Sequence, residues 1–455
     1  MSDATVITAK SGHPKGLYLL FGVEAWERFS YYGMRALLVL YMVKSLQFST
    51  ETAGTVYGWY TGLVYLTPLM GGYIADRYLG ARRCILIGGT LMALGHFAMA
   101  FPPLPFFFSA LLLLIFGNGF FKPNISTVVG QLYEPNDPRR DGGFTIFYMG
   151  INLGAFFSPL ICGTLGEKIG WHYGFAAAGV GMVAGLVMYL LAGKKFLGNK
   201  GMTPALKPVA GISREPLTRH EKERIAVIFI LCFFVIFFWA SFEQAGSSLT
   251  LFADRQTDRM IPMLNWEYFT SWFQSAASES PPLIVSWEFP TSWFQSVNPL
   301  LIFLLAPIFS RMWISLAIHG REPSTPMKFV MGLGLLAVGF VVMIAAAGVY
   351  ATSGPVSLFW LLGAYLLHTL GELCLSPVGL SMVTKLAPAT FGSLLMGTWF
   401  LSSFAANLVG GLFAGNYDTM NNTLFFTIPT ATAGGAALLL LLLVKPLRRM
   451  MHGVH

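Results

Sequence analysis

The segment Glu24-Ala25-Trp26-Glu27-Arg28-Phe29-Ser30-Tyr31-Tyr32-Gly33-Met34-Arg35 places four ionisable groups and two tyrosines inside the first long apolar stretch of the chain. Each charge would cost about 2.5 to 3.5 kcal/mol at the centre of a bilayer helix, so these groups must face one another, water or a bound solute. On a helix, Glu24, Glu27, Arg28, Tyr31, Tyr32 and Arg35 share an arc of about 140°. That is one polar stripe, aimed inward. Its chemistry is exchange: a carboxylate that takes a proton can no longer hold an arginine, and a freed guanidinium can hold an anion instead. Lys122, Glu243 and Glu372 also fall inside apolar stretches, giving four acids against three bases at membrane depth. Several lie beside helix-weakening residues: Lys122 precedes Pro123-Asn124, Glu243-Gln244 precedes Ala245-Gly246, and Glu372 is followed by Ser376-Pro377. Broken helices at the midplane are where transporters place their sites.

The elements that must position these groups are membrane helices. Of 455 residues, 55% are hydrophobic and 11% charged, a composition of polytopic membrane proteins. Twelve apolar runs are long enough to cross about 30 Å of hydrocarbon, near 17–45, 52–75, 84–103, 105–129, 142–166, 170–193, 225–252, 294–319, 327–350, 355–384, 391–416 and 422–444. The formal net charge of +8 is a topology signal, and a nucleic-acid partner is not expected. With the N-terminus inside, only Lys44, Lys168, Arg255 and Arg259 of the 29 basic residues fall outside and Arg28, Arg35 and Lys122 within spans, which leaves 22 inside. The positive-inside rule then puts both termini in the cytoplasm. Residues 1–16 are polar and the first span too charged for a signal-peptide core, so that span is expected to be retained. Cys84, Cys162, Cys232 and Cys374 all lie in or beside spans, which predicts free thiols.

The stretch Lys194–Arg224 is basic and contains Pro and Gly. It predicts three parts: a six-helix bundle over 1–193, a cytoplasmic linker over 194–224, and a second six-helix bundle over 225–455 carrying an extracytoplasmic loop at 253–292. Within that loop Trp266-Glu267-Tyr268-Phe269-Thr270-Ser271-Trp272-Phe273-Gln274-Ser275 recurs as Trp287-Glu288-Phe289-Pro290-Thr291-Ser292-Trp293-Phe294-Gln295-Ser296. A neutral duplication in a tolerant loop is the plain reading, and a gate or partner site is the alternative. No His-x-x-x-His or Cys-x-x-Cys pair is present for a metal, and no cofactor is expected besides protons as coupling ion. His368, one turn before Glu372, reads as a packed helix histidine.

The 6 + 6 division and the loop Gly72-Tyr73-Ile74-Ala75-Asp76-Arg77-Tyr78-Leu79-Gly80-Ala81-Arg82-Arg83 resemble the major facilitator superfamily, an all-α membrane fold of two six-helix bundles. Within it, Glu24-x-x-Glu27-Arg28-Phe29-x-Tyr31-Tyr32-Gly33 is similar to the first-helix signature of the proton-dependent oligopeptide transporter family, and the run Phe144 to Gly154 to its fifth-helix signature. Phe116–Asn124, Phe238–Gln244, Trp293–Pro299 and Gly371–Pro377 match further motifs in order along the chain. Two departures stand out. Animal members carry a histidine at the position of Gly58, seven before Tyr65, so proton binding here would rest on carboxylates. The linker also lacks room for the two extra helices of several bacterial members.

The resemblance implies a proton-coupled symporter that imports di- and tripeptides by alternating access, in the inner membrane of a bacterium, as a monomer among membrane lipid. It implies no enzyme. Arg35 and Lys122 would attract the peptide carboxylate, and Glu372 with Asn298 would hold its ammonium. Tyr31, Tyr32, Tyr65, Asn152, Trp239, Trp399, Phe400 and Ser403 would line the pocket. Glu24, Glu27, Arg28 and Glu243 would couple protons, Glu243 by pairing with Arg35 and the other two acids with Arg28. The alternative is a proton-coupled transporter of another small solute, nitrate or a drug-like compound, including by export.

Overall fold

A computed structural model of the chain describes residues 12–134, 137, 139–204, 217–264, 284–388 and 391–453. The helices are α1 (Lys15–Lys44), α2 (Thr50–Ile74), α3 (Ala81–Met99), α4 (Leu104–Gln131), α5 (Arg140–Ser158), α6 (Trp171–Leu197), α7 (Arg219–Phe242), the short α8 (Ser248–Arg255), α9 (Val297–Ile318), α10 (Thr325–Ser353), α11 (Phe359–Leu386), α12 (Gly392–Ala414) and α13 (Asn422–Met450). Apart from α8, which continues α7, these follow the twelve apolar runs of the sequence. Among the described residues nine helical segments are long and apolar enough to cross a membrane by length and composition alone. The remaining three are α1, α2 and α3. In α1 the charged stripe leaves no uninterrupted apolar window, and α3 opens on Arg82-Arg83.

Helix ends follow local chemistry. Ser49 caps α2 by accepting from the Thr52 amide at 3.1 Å, and Asn421 caps α13 by accepting from Leu424 at 2.7 Å. At α7 Thr218 and Glu221 form a reciprocal capping box. The basic stretch 194–224 therefore begins and ends inside helices: Lys194 and Lys195 belong to α6, and 219–224 to α7. Residues 205–216 of that linker, and the first copy of the duplicated segment, lie outside the described residues.

Helices α1 to α6 pack on one another, chiefly α1 against α5 and α6 and α4 against α2 and α3. In the second half α10 packs on α11 and α13, and α7 on α12 and α13. The two groups meet most closely away from the termini, where α2 lies on α12 at backbone contact. A Cβ on Gly411 would stand 2.2 Å from the Gly58 Cα, and one on Gly54 2.5 Å from the Gly415 amide nitrogen. At position 58 itself a Cβ would press on the same backbone, 3.0 Å from the Leu408 carbonyl oxygen and 3.1 Å from the Gly411 Cα.

Loops on that same face carry two small sheets. β1 (Thr257–Asp258) pairs parallel with β4 (Val356–Ser357), and β2 (Met260–Leu264) antiparallel with β3 (Ile284–Glu288), with Met260 opposite Glu288. The second copy of the duplicated segment thus enters β3 and continues as a 3₁₀ turn, Thr291–Ser296, that leads into α9. All four cysteines are buried free thiols.

Candidate functional site

α1 crosses between the two halves, and its charged groups divide. Arg28 faces its own bundle. Its guanidinium donates to Glu27 through Nε and through Nη2 at 2.8 Å, and Nε lies 3.2 Å from Glu24. Asn118 on α4 donates to Glu27 at 3.4 Å. All three charged side chains are almost fully buried, and Glu24 Oε2 has no hydrogen-bond partner. One guanidinium therefore serves two carboxylates, and one carboxylate oxygen is left bare in a dry setting.

Two turns further on, Arg35 points across to the other half. It pairs with Glu243 in the 3₁₀ turn after α7, donates to the Tyr57 hydroxyl at 2.8 Å, and lies over the rings of Tyr32 and Tyr57. Gly246 makes this possible, since a Cβ there would sit 2.0 Å from the Tyr57 hydroxyl and 3.0 Å from Arg35. The glycine that weakens α7 thus clears the space its neighbour's ion pair needs.

These groups border a cavity of about 290 Å³ lined by Arg28, Tyr32, Arg35, Tyr65, Lys122, Asn152, Trp239, Glu243, Asn298 and Glu372. Lys122 reaches it over the Tyr65 ring, 4.5 Å from the centroid, and among the described residues no carboxylate lies within ion-pair distance of its ammonium. Across the cavity Glu372 accepts from Asn298 at 2.8 Å, and the same amide donates to Thr369 at 3.1 Å. Glu372 is held by a neutral donor, so its charge is unanswered by any described cation. The cavity has a basic wall from the first half and an acidic one from the second, with tyrosine and tryptophan between. Such a space suits a small molecule with an anionic and a cationic end.

A second, more apolar cavity of about 890 Å³ shares Tyr65, Asn152 and Trp239 and takes in Trp399, Ser403 and Asn407. It runs between α5 and α9 as far as Thr145 and Ile314, both within about a turn and a half of the helix ends on the termini side. The opposite face is shut.

Of the residues singled out from sequence, Glu24 and Glu27 stand behind the cavity wall, paired with Arg28, which lines it. Tyr31 is buried outside both cavities, edge-on to Tyr32 at 5.2 Å, because the stripe's arc is wider than the cavity's opening onto α1. Phe400 also lines neither; its neighbour Trp399 faces the second cavity, and one helical step turns Phe400 about 100° away. Tyr57, Tyr148, Gln295 and Tyr365 were not anticipated. His368 borders the cavity while packing its ring 4.6 Å from that of Phe340.

The sequence profile of the POT family matches residues 82–214 and 270–431. A peptide transporter of Yersinia enterocolitica is 37% identical, over 97% of this chain and 96% of its own length. A di-/tripeptide transporter of Lactococcus lactis subsp. cremoris is 34% identical, over 97% of each. The crystal structure of a variant of peptide transporter POT in complex with alafosfalin superposes with a TM-score of 0.85 at 35% identity, covering 98% of this chain and 97% of that one. Matched from end to end by relatives and by a solved fold, the chain belongs to the POT family.

Proposed function

We propose that this protein imports di- and tripeptides with protons by alternating access between its two six-helix bundles. The observation that carries the reading is the cavity with Arg35 and Lys122 on one wall and Glu372, held by Asn298, on the other. A zwitterionic peptide answers both walls, whereas a simple anion would meet Glu372 as a like charge. Relatives named as peptide and di-/tripeptide transporters, and a solved relative holding alafosfalin, support it. Tyr32, Tyr65, Asn152 and Trp239 would read the peptide backbone, leaving side chains to the wider apolar cavity.

Protons enter as competitors for the arginines. Two buried acids share Arg28, and the bare Glu24 oxygen marks where a proton relieves the surplus charge. Protonation of Glu243 would release Arg35 to the peptide carboxylate and free one bundle from the other. Each charge moved along the field gains about 2.3 kcal/mol per 100 mV. The basic loops favour both termini on the cytoplasmic side; a bacterial inner membrane is part of the same proposal, and a site built within a single chain suits a monomer in lipid. The face opposite the termini is then extracytoplasmic, and the structure corresponds to a state shut outside and open inside. The division at the linker of 194–224 belongs to the same proposal.

Uptake of labelled dialanine into proteoliposomes under an imposed proton gradient tests the reading. Glu27→Gln is expected to abolish gradient-driven uptake and leave peptide counterflow measurable. Intact driven uptake in that variant removes Glu27 from coupling, and accumulation only under inside-acid gradients assigns export instead.

A further inference from the structure

Among the contacts that close the extracytoplasmic face, one has an unusual form. Glu167, in the π turn Leu165–Ile169 that extends α5, accepts from the backbone amides of Thr291 at 2.8 Å and Ser292 at 2.8 Å. Those amides open the 3₁₀ turn that runs directly into α9, and Pro290 before them fixes the chain's approach. First-turn amides of a helix have no partner within it and carry the positive end of its dipole. Here the carboxylate that satisfies them comes from the other bundle.

The surroundings are fitted to this docking. Thr291 and Ser292 are essentially inaccessible to solvent. A Cβ on Gly163 would stand 1.9 Å from the Ser292 hydroxyl, so only glycine lets the turn seat. Trp293 donates to Thr164 at 2.9 Å and Ser296 to the Phe156 carbonyl at 2.7 Å, again across the bundles. Asn298, which holds Glu372, lies about two turns beyond the capped amides on the same helical segment.

We infer that Glu167 is a positioning residue of the transport cycle: it caps, from the N-terminal bundle, the helix that brings Asn298 to the site, and so holds the extracytoplasmic face shut. The cap exists only in the closed state, because parting the bundles leaves both amides and the carboxylate to water. Its removal therefore weakens that state against the one open outside, without touching the peptide cavity. Charge-assisted hydrogen bonds exchanged for water are worth enough to move this balance roughly tenfold. A state open outside more often binds external peptide at lower concentration, yet completes each closure less often. KM and kcat for uptake should fall together, a pairing that loss of folded protein would not give.

The functional half of this rests on the import reading; the structural half does not. Hydrogen–deuterium exchange on the full-length protein, without peptide, separates them. In Glu167→Ala the peptides covering 159–170 and 291–299 should exchange about tenfold faster than in the parent, with Glu167→Gln in between, since its amide keeps one acceptor oxygen and turns a donor toward the amides. Unchanged exchange in both variants overturns the inference and leaves peptide import standing. Faster exchange confined to the two capped amides, with KM and kcat unmoved, overturns the positioning role. If Glu167→Ala fails to fold, the Gln variant decides by the same measurements.

Discussion

Replacing Gly411 by alanine probes the seam between the bundles. The added Cβ would lie 2.2 Å from the Gly58 Cα, 2.5 Å from its nitrogen and 2.8 Å from the Gly54 carbonyl oxygen, so every obstacle is backbone. Ordinary contact begins at 3.4 Å, and α2 and α12 must part there by at least about 1.2 Å. Overpacking of this kind costs about 1 to 3 kcal/mol, and the bundles relieve it by opening on this face. The balance should shift toward the outward-open state by roughly fivefold to a hundredfold. Spin labels at Phe101, just after α3, and Phe359, the first residue of α11, both exposed on the face opposite the termini, would report longer distances by pulsed electron resonance. Gly434→Ala on α13, where the nearest atom would be the Ala337 Cβ at 3.6 Å, should leave the distribution as it is. Unaltered distances in Gly411→Ala would mean that the strain is absorbed within the helices, and would refute the seam as a pivot.

Glu372→Gln should weaken binding of a free dipeptide by about 2 to 5 kcal/mol, roughly thirtyfold or more, and leave an N-acetylated dipeptide nearly unaffected; calorimetry on the purified protein compares the two. In the loop between α4 and α5, hydrogen bonds from the Arg139 side chain and then its main-chain N–H hold Asp137 down at about 2. A depressed carboxylate contributes above its ordinary range and is lost only as pH falls through its folded value. Asp137 therefore stays charged from about pH 5 to 8, and Asp137→Asn should leave the pH profile of uptake unmoved.

The helices, α1 included, were legible from apolar runs. Partnerships were harder. Arg35 and Glu243 are 208 residues apart, and it was the family resemblance, with the cost of burying either alone, that paired them. Tyr57 and Tyr365 went unseen because an aromatic on an apolar helix looks the same whether it packs or lines a cavity. Tyr31 and Phe400 were included for the converse reason: neighbours of true lining residues share their motif but not their direction. The cap by Glu167 could not be read at all, since backbone amides leave no trace in a sequence.

The charge inventory of the core has an electrical consequence. Three cations and four carboxylates stay with the protein through every cycle, and a dipeptide with neutral side chains adds no net charge. Current per peptide would then count protons directly, independent of peptide length. A lysyl or glutamyl side chain would raise or lower that current by one whole charge, so a voltmeter could distinguish substrates that the cavity, reading only their backbones, treats alike.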